Sequence, residues 1–292
     1  MKFPRVGYLL AANLADACEA VARDGARPLA GGQSLLPLMA FRLSRPDVLV
    51  DVSRLKELRG IEVESAHNGG ELVVGAATTH AEIEQSPLIA SVLPALAEVA
   101  SNIGHPAIRH LGTIGGSIAH ADPAAEWPAT CIALDADVEV CSTGGLRRVP
   151  VESIVAGPYQ TTLSDGELLC RLRFPLAAAR RVALAEITRG SGDFALAGAV
   201  CVLDEGNPPA AAVTFFGVEG RPRRVRIPAS ALAGPARKGG SPNQLARELA
   251  VDLGNVLEDG NADAVFRRHL AVVAAERALR RAEGRVRTVG ES

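Results

Sequence analysis

Apolar positions at helical spacing mark the first element. Leu14, Ala17, Cys18, Val21 and Ala22 follow Asn13, a good N-cap, and Gly25 supplies a stop. A short strand is predicted over 27–30. It is followed by the tight turn Gly31-Gly32-Gln33-Ser34 and an apolar stretch over 35–43, where Pro37 suits the first turn of a helix. Residues 48–52 read as a buried strand. Residues 59–64 and 71–76 read as two more, joined by a turn at His67-Asn68-Gly69-Gly70. Helical patterns cover 79–84 and 92–100. From 102 to 128 the glycines and prolines (Gly104, Pro106, Gly112, Gly115, Gly116, Pro123, Pro128) punctuate too often for one long element. A helix is predicted over 124–134, and strands over 138–141 and 167–174.

The pattern changes after about 175. Residues 182–188, 197–203 and 211–218 read as successive strands of a meander, interrupted at Pro208-Pro209 and Gly220-Arg221-Pro222. The end is helical, over 244–252 and 262–282. In the longer helix Val265, Phe266, Leu270, Val273, Ala274 and Leu279 form an apolar stripe. Arg267, Arg268, Arg277, Arg280 and Arg281 read as its solvated face. The chain of 292 residues suits about two domains. A boundary near 174–178 gives an α+β N-terminal domain, then strands followed by helices in a smaller α+β domain.

Composition narrows the function. Hydrophobic residues make up 48%, charged residues 22%, and the net charge is -2, the values of a folded globular chain. The near balance of charge argues against a nucleic-acid footprint and against an acidic disordered segment. No apolar run approaches the roughly 18–20 residues that span a bilayer. Met1-Lys2-Phe3-Pro4-Arg5 opens no secretory leader, so a cytoplasmic protein is expected. The five cysteines, Cys18, Cys131, Cys141, Cys170 and Cys201, are scattered without a C-x-x-C pair. They read as reduced, buried thiols, and not as ligands of an iron–sulfur cluster or zinc ion. Redox chemistry here would need an organic cofactor.

Two glycine turns are the candidate chemistry. Ala30-Gly31-Gly32-Gln33-Ser34 lies between a strand and an apolar segment. Thr113-Ile114-Gly115-Gly116-Ser117 repeats its chemical character. Adjacent glycines permit positive φ and close approach of a ligand, and the amides of such turns suit phosphate. Either turn alone is most simply an ordinary connection, and spacing does not show whether they meet. Gly190-Ser191-Gly192-Asp193-Phe194-Ala195 fits G-x-G-x-x-A, but a strand follows it, so a Rossmann reading is rejected. His105, His110 and His120 with Asp122 and Glu126 lack compact metal-ligand spacing. No G-x-S-x-G elbow marks a nucleophile.

The stretch Ala30-Gly31-Gly32-Gln33-Ser34-Leu35-Leu36-Pro37-Leu38-Met39 resembles the first flavin loop of the FAD-binding medium subunits of molybdenum hydroxylases, the xanthine dehydrogenase / carbon monoxide dehydrogenase family. Thr113-Ile114-Gly115-Gly116-Ser117-Ile118-Ala119-His120-Ala121-Asp122-Pro123 resembles the second. The likeness extends to Thr78-Thr79-His80-Ala81, Glu167-Leu168-Leu169 and the segment from Arg189 to Ala195, and so covers nearly the whole chain. It implies an α+β fold: a two-subdomain FAD domain of the vanillyl-alcohol oxidase / enolpyruvyl-glucosamine reductase type over 1–174 (subdomains about 1–56 and 57–174). A smaller α+β C-terminal domain would span 175–292.

The resemblance implies one noncovalent FAD in a cleft between these parts. Ala30, Gly31, Gly32, Gln33, Ser34 and Leu35 would wrap the diphosphate, and Thr113, Gly115, Gly116 and Ser117 would close on it. Ile103, Gly104, His120, Asp122 and Glu126 would line the cofactor, with Glu126 at its hydroxyl-bearing chain. Leu169, Arg189, Asp193 and Phe194 would approach the flavin ring. Ser117 stands where Asn is frequent and Glu126 where Asp is frequent, and both keep hydrogen-bonding capacity. Pro28 stands where a β-branched residue is frequent, and an edge or turn is expected there.

The implied task is electron transfer from [2Fe-2S] clusters on a small partner subunit, through FAD, to an external acceptor. A large subunit with molybdenum cofactor would oxidise the substrate. The range of the family spans purines, other N-heterocycles, aldehydes and carbon monoxide, and a dimer of heterotrimers is expected. No catalytic side chain and no metal ligand is expected on this chain. Two readings compete with it: a free-standing flavin oxidoreductase acting on its own small substrate, and a non-catalytic assembly protein that has lost FAD.

Overall fold

The computed structural model of the chain describes residues 4–65, 70–177, 180–205, 210–227 and 242–284. After β1 (Gly7–Leu10), the Asn13 side chain accepts a hydrogen bond from the Asp16 N–H at 2.9 Å and starts α1 (Leu14–Val21). This helix buries Ala17, Cys18, Ala20 and Val21, the periodic positions. β2 (Ala26–Leu29), α2 (Leu35–Ala40) and β3 (Val48–Asp51) complete a parallel sheet of order β1–β3–β2. β2 is an edge strand, which Pro28, lacking an N–H, tolerates.

β4 (Ile61–Glu64) and β5 (Glu71–Gly75) open a second sheet. Residues 67–69 of the predicted turn between them lie outside the described residues. Then come α3 (His80–Glu84), α4 (Pro87–Val92), α5 (Ala95–Asn102), α6 (Pro106–Arg109) and α7 (Ile114–His120). The single helix predicted over 92–100 is divided. Pro94 lacks an N–H and pushes Leu93 out of the helical region, so α4 ends and α5 begins afresh.

After α8 (Glu126–Ala133) follow β6 (Asp137–Ser142), β7 (Gly145–Pro150), α9 (Val151–Ile154), β8 (Val155–Gly157), β9 (Gln160–Thr161) and β10 (Leu168–Pro175). β8 and β9 pair with each other, and the second sheet runs β4–β5–β10–β6–β7, all antiparallel. β7 escaped prediction because it is exposed almost throughout and shows no buried face. Ion pairs hold the polar face of this sheet. Arg173 of β10 pairs with Glu64, Glu71 and Glu139, and Arg148 of β7 with Glu71 and Asp137. Arg173 and Arg148 hold the Glu64 and Glu71 carboxyls below the usual range.

Cys141 and Cys170 are joined as a disulfide, correcting the expectation of five reduced thiols. Their separation of 29 residues hid the fact that β6 and β10 are neighbours. A bulge between Leu169 and Arg171 leaves Cys170 outside the ladder and turns it toward Cys141. Cys18 lies 3.7 Å from Cys141, sulfur to sulfur, and Cys18, Cys131 and Cys201 are buried free thiols.

The chain divides into two compact units, Met1–Asp122 with Asp135–Leu176, and Pro123–Leu134 with Ala177–Ser292. The second is built on an antiparallel sheet, β11 (Arg180–Ile187), β12 (Ala197–Asp204), β13 (Ala210–Phe216) and β14 (Arg223–Arg226). The helices α10 (Pro242–Val251) and α11 (Ala264–Gly284) join Ala183, Ala185, Ala199, Val213 and Phe215 in one core.

Helix α8 belongs to this second unit, and every one of its residues is buried. Six of its eight residues are apolar, so it has no broad polar face to turn to water and is enclosed. Its last carbonyls are capped by the sheet: Arg224 donates to Ile132 O, and Arg180 donates to Leu134 O at 3.2 Å.

The predicted stripe of α11 is corrected at its start. Val265 is 82% exposed and Phe266 is also exposed, while Ala271, Ala275, Ala278 and Ala282 are buried with Leu270, Ala274 and Leu279. Small residues let the helix lie close to the sheet, which moves the contact face away from the bulky residues. The arginines are not one solvated face either. Arg267 is buried, and Arg268 and Arg281 donate to the carbonyls of Ala250, Leu253 and Leu184. Arg280 makes an exposed i,i+4 pair with Glu276. No helix among the described residues is long and apolar enough to cross a membrane.

Candidate functional site

The first glycine turn leaves β2 and enters α2. Gly32 takes φ +70°, a conformation that L side chains rarely adopt. The Gln33 side-chain amide donates to Gly31 O at 3.0 Å and closes the turn from within. Among the described residues, no backbone N–H of residues 31–35 has a hydrogen-bond partner. Ala30–Leu35 are half-buried, so these donors line an accessible turn. Unspent amides on a glycine turn are the arrangement that binds anionic oxygens.

The second turn has different chemistry from the expected matching cradle. Thr113 caps α7, its Oγ1 accepting from the Gly116 N–H at 3.1 Å. The Gly115 N–H donates to Ala76 O at 2.9 Å and the Ser117 N–H to Thr113 O at 3.0 Å. These amides are committed to the protein. A Cβ on Gly115 would lie 2.7 Å from Ala76 O, so glycine is required for α7 to start against the residue that follows β5.

The two turns meet. A Cβ on Gly31 would overlap the Leu111 carbonyl oxygen and lie 2.8 Å from the Gly112 Cα. A Cβ on Gly116 would lie 4.0 Å from the Ala30 Cβ. Backbone packs directly on backbone, and only glycine at 31 allows it. The open amides of the first turn thus lie beside the second.

Helix α3 supports the second turn. The His80 N–H donates to Gly112 O at 2.9 Å, and the imidazole lies so near Gly112 that a Cβ there would be 2.8 Å from Nε2. Burial, with a smaller contribution from the Arg109 charge, lowers the His80 pKa from 6.5 to about 4. The folded chain therefore holds a neutral imidazole where the unfolded chain takes a proton. Stability is unaffected by this group above about pH 6.5. It falls as pH drops toward 4, by at most about 3 kcal/mol. Urea unfolding of His80→Asn at pH 7 and pH 4.5 should show a smaller acid loss than the parent. An equal loss in both would mean that protonation of His80 does not drive the acid destabilisation.

The other predicted residues are distributed. Ile103 ends α5, and Gly104 follows at φ +50°. His120, at the end of α7, packs on Tyr159 with ring centroids 5.2 Å apart and the rings tilted by 49°. The Tyr159 hydroxyl donates to Asp122 at 3.4 Å, and its N–H to Ala121 O at 2.9 Å. Burial lowers the His120 pKa, against the opposing charge of Asp122. Tyr159 was not predicted. Its only signal was the Gly157-Pro158 step before it.

Leu169 is buried on β10. Glu126 is buried as the first residue of α8, in the second unit. Arg189, Asp193 and Phe194 are exposed in that same unit. Arg189 donates to Asn261 at 2.6 Å, and Phe194 is 69% exposed. Among the described residues no group of three His, Cys, Asp or Glu side chains could hold a metal ion.

A family model described as the FAD binding domain in molybdopterin dehydrogenase matches residues 4–177. The chain is 39% identical over 204 residues to the nicotine 6-hydroxylase medium subunit of Paenarthrobacter nicotinovorans, covering 70% of each chain. It is 33% identical over 287 residues to the carbon monoxide dehydrogenase medium chain of Hydrogenophaga pseudoflava, covering 97% of this chain and 98% of that one. The solved carbon monoxide dehydrogenase from Hydrogenophaga pseudoflava that lacks the Mo-pyranopterin moiety of the molybdenum cofactor is similar in structure. Its matching chain gives a TM-score of 0.90 at 33% identity, covering 98% of this chain and 100% of that one.

Proposed function

Since the chain belongs to the FAD-binding medium subunits of the molybdenum hydroxylases, the family of the xanthine and carbon monoxide dehydrogenases, we propose that it carries electrons from [2Fe-2S] clusters on a small partner subunit to an external acceptor. The chain is a subunit of an oxidoreductase and its cofactor is FAD. When bound, FAD supplies redox chemistry that no side chain offers. The observation that carries the reading is the meeting of the two glycine turns, with the amides of residues 31–35 unspent.

In this reading Gly31–Leu35 bind the diphosphate through backbone N–H groups. Thr113 and Gly116 shape the facing wall, and Ile103 and Gly104 line the cofactor. The parallel sheet β1–β3–β2 followed by the antiparallel sheet supports a vanillyl-alcohol oxidase / enolpyruvyl-glucosamine reductase type of arrangement, with subdomains at about 1–56 and 57–174. The family match over 4–177 supports an FAD domain ending near 174, before a C-terminal domain over 175–292.

Substrate oxidation belongs to a large subunit with molybdenum cofactor, in a cytoplasmic dimer of heterotrimers. The relatives act on compounds as different as nicotine and carbon monoxide by their names, so substrate class rests with the large subunit. Purification of the native protein should bring with it one chain of molybdenum-subunit size and one iron–sulfur chain. Recovery only as a flavin-bearing monomer or homo-oligomer, active on a small substrate, would favour the free-standing oxidoreductase and overturn the proposal.

A further inference from the structure

Arg109, at the end of α6, makes four contacts that the cofactor reading does not use. Its side chain is only 14% exposed. Nε pairs with Glu84 of α3 at 2.8 Å, and a second nitrogen reaches the other Glu84 oxygen at 3.5 Å. The third nitrogen donates to Ile103 O at 3.3 Å and to Gly104 O at 3.1 Å. One planar group thus ties α3, α6 and the 103–104 turn together. Gly104 sits at φ +50°, and a carbonyl bond on each side of that kink fixes its direction.

The same tie reaches the glycine turns. The Gly112 N–H donates to Ile108 O at 2.7 Å, one residue before Arg109. Gly112 is also held from α3, through the His80 N–H, and it is the backbone against which Gly31 lies. A shift of α6 relative to α3 therefore moves Gly112, and with it the wall facing the open amides. Lysine cannot replace this group. Its ammonium is a point charge and cannot present a planar fork to a carboxylate and two carbonyls at once.

We propose that Arg109, held by Glu84, is a positioning residue of the FAD site: it fixes the 103–104 turn and the segment that carries Gly112 against Gly31. The proposal rests on the FAD reading above. The test uses the full chain stripped of flavin and titrated with FAD. Three quantities are read: the Kd from fluorescence quenching, the visible circular dichroism of the bound flavin, and the thermal unfolding of the flavin-free chain.

Arg109→Lys is expected to weaken FAD about tenfold, the scale of losing charge-assisted hydrogen bonds, and to alter the dichroism of the flavin that still binds. Glu84→Gln keeps a hydrogen-bonding oxygen and should show a smaller change of the same kind. Failure of the parent chain to bind FAD would overturn the reading beneath the proposal. A parent that binds, beside Arg109→Lys with the parental Kd and dichroism, would overturn the proposal alone. It would do so even with a lowered unfolding temperature, because a merely structural arginine would move only the unfolding.

Discussion

A Gly31→Val chain is expected to emerge from purification without FAD. The new Cβ would overlap the Leu111 carbonyl oxygen and lie 2.6 Å from the Leu111 carbonyl carbon. A side chain could rotate away from such a contact, but these are backbone atoms of the second turn. The two turns must separate. Overpacking against a fixed wall costs about 3 kcal/mol, which in affinity is a loss of about 100-fold. The free amides of residues 31–35 then no longer face the wall that Thr113 and Gly116 shape. Gly32→Val adds a different fault, a β-branched residue at φ +70° beside Leu36. The ratio of flavin to protein absorbance checks both variants. Full occupancy in Gly31→Val would refute the assignment of the cradle, provided circular dichroism shows the chain folded.

The largest loss of stability is expected in Arg267→Leu. Arg267 is 3% exposed, and one nitrogen donates to Leu196 O at 2.7 Å and to Gly217 O at 2.9 Å. A second pairs with Asp259 at 2.8 Å. These contacts fasten α11 to the ends of β12 and β13. Leucine fills much of the volume but leaves two carbonyls without their donor. The desolvation penalty of those groups, with the lost charged bonds, puts the cost at about 3–5 kcal/mol. Asp259 is half exposed and can return to water, so no stranded carboxylate adds to that cost. The single tryptophan, Trp127, is fully buried in α8 and reports on the same unit. A urea titration followed by its fluorescence should shift to much lower denaturant. An unchanged midpoint would mean that the two carbonyls find other partners.

Much of the local structure was legible in the residues. Asn13 and the spacing of Ala17, Cys18 and Val21 announced α1, and the successive apolar runs at 182–188, 197–203 and 211–218 announced the meander. These signals arise from neighbours within a few positions, where periodicity and capping act. β7 was illegible because its strand character comes from pairing with β6 and from Arg147 and Arg148 reaching Glu167 and Glu71. Arg267 was misread for a related reason. An arginine in an arginine-rich helix reads as solvated until the Leu196 and Gly217 carbonyls are placed beside it.

The site divides the same way. Residue chemistry alone marked 30–34 and 113–117 as glycine turns of a kind that suits an anion, while leaving each of them readable as an ordinary connection. Tertiary structure decided that the turns face each other and that only the first keeps its amides open. It also decided that α3 and Arg109 stand behind the second. It joined Cys141 to Cys170 and packed α8 with the C-terminal sheet. Each of these depends on which distant segments share a sheet or a helix face. Pairing at long separation is set by register and packing across the whole core, and no window of sequence contains it.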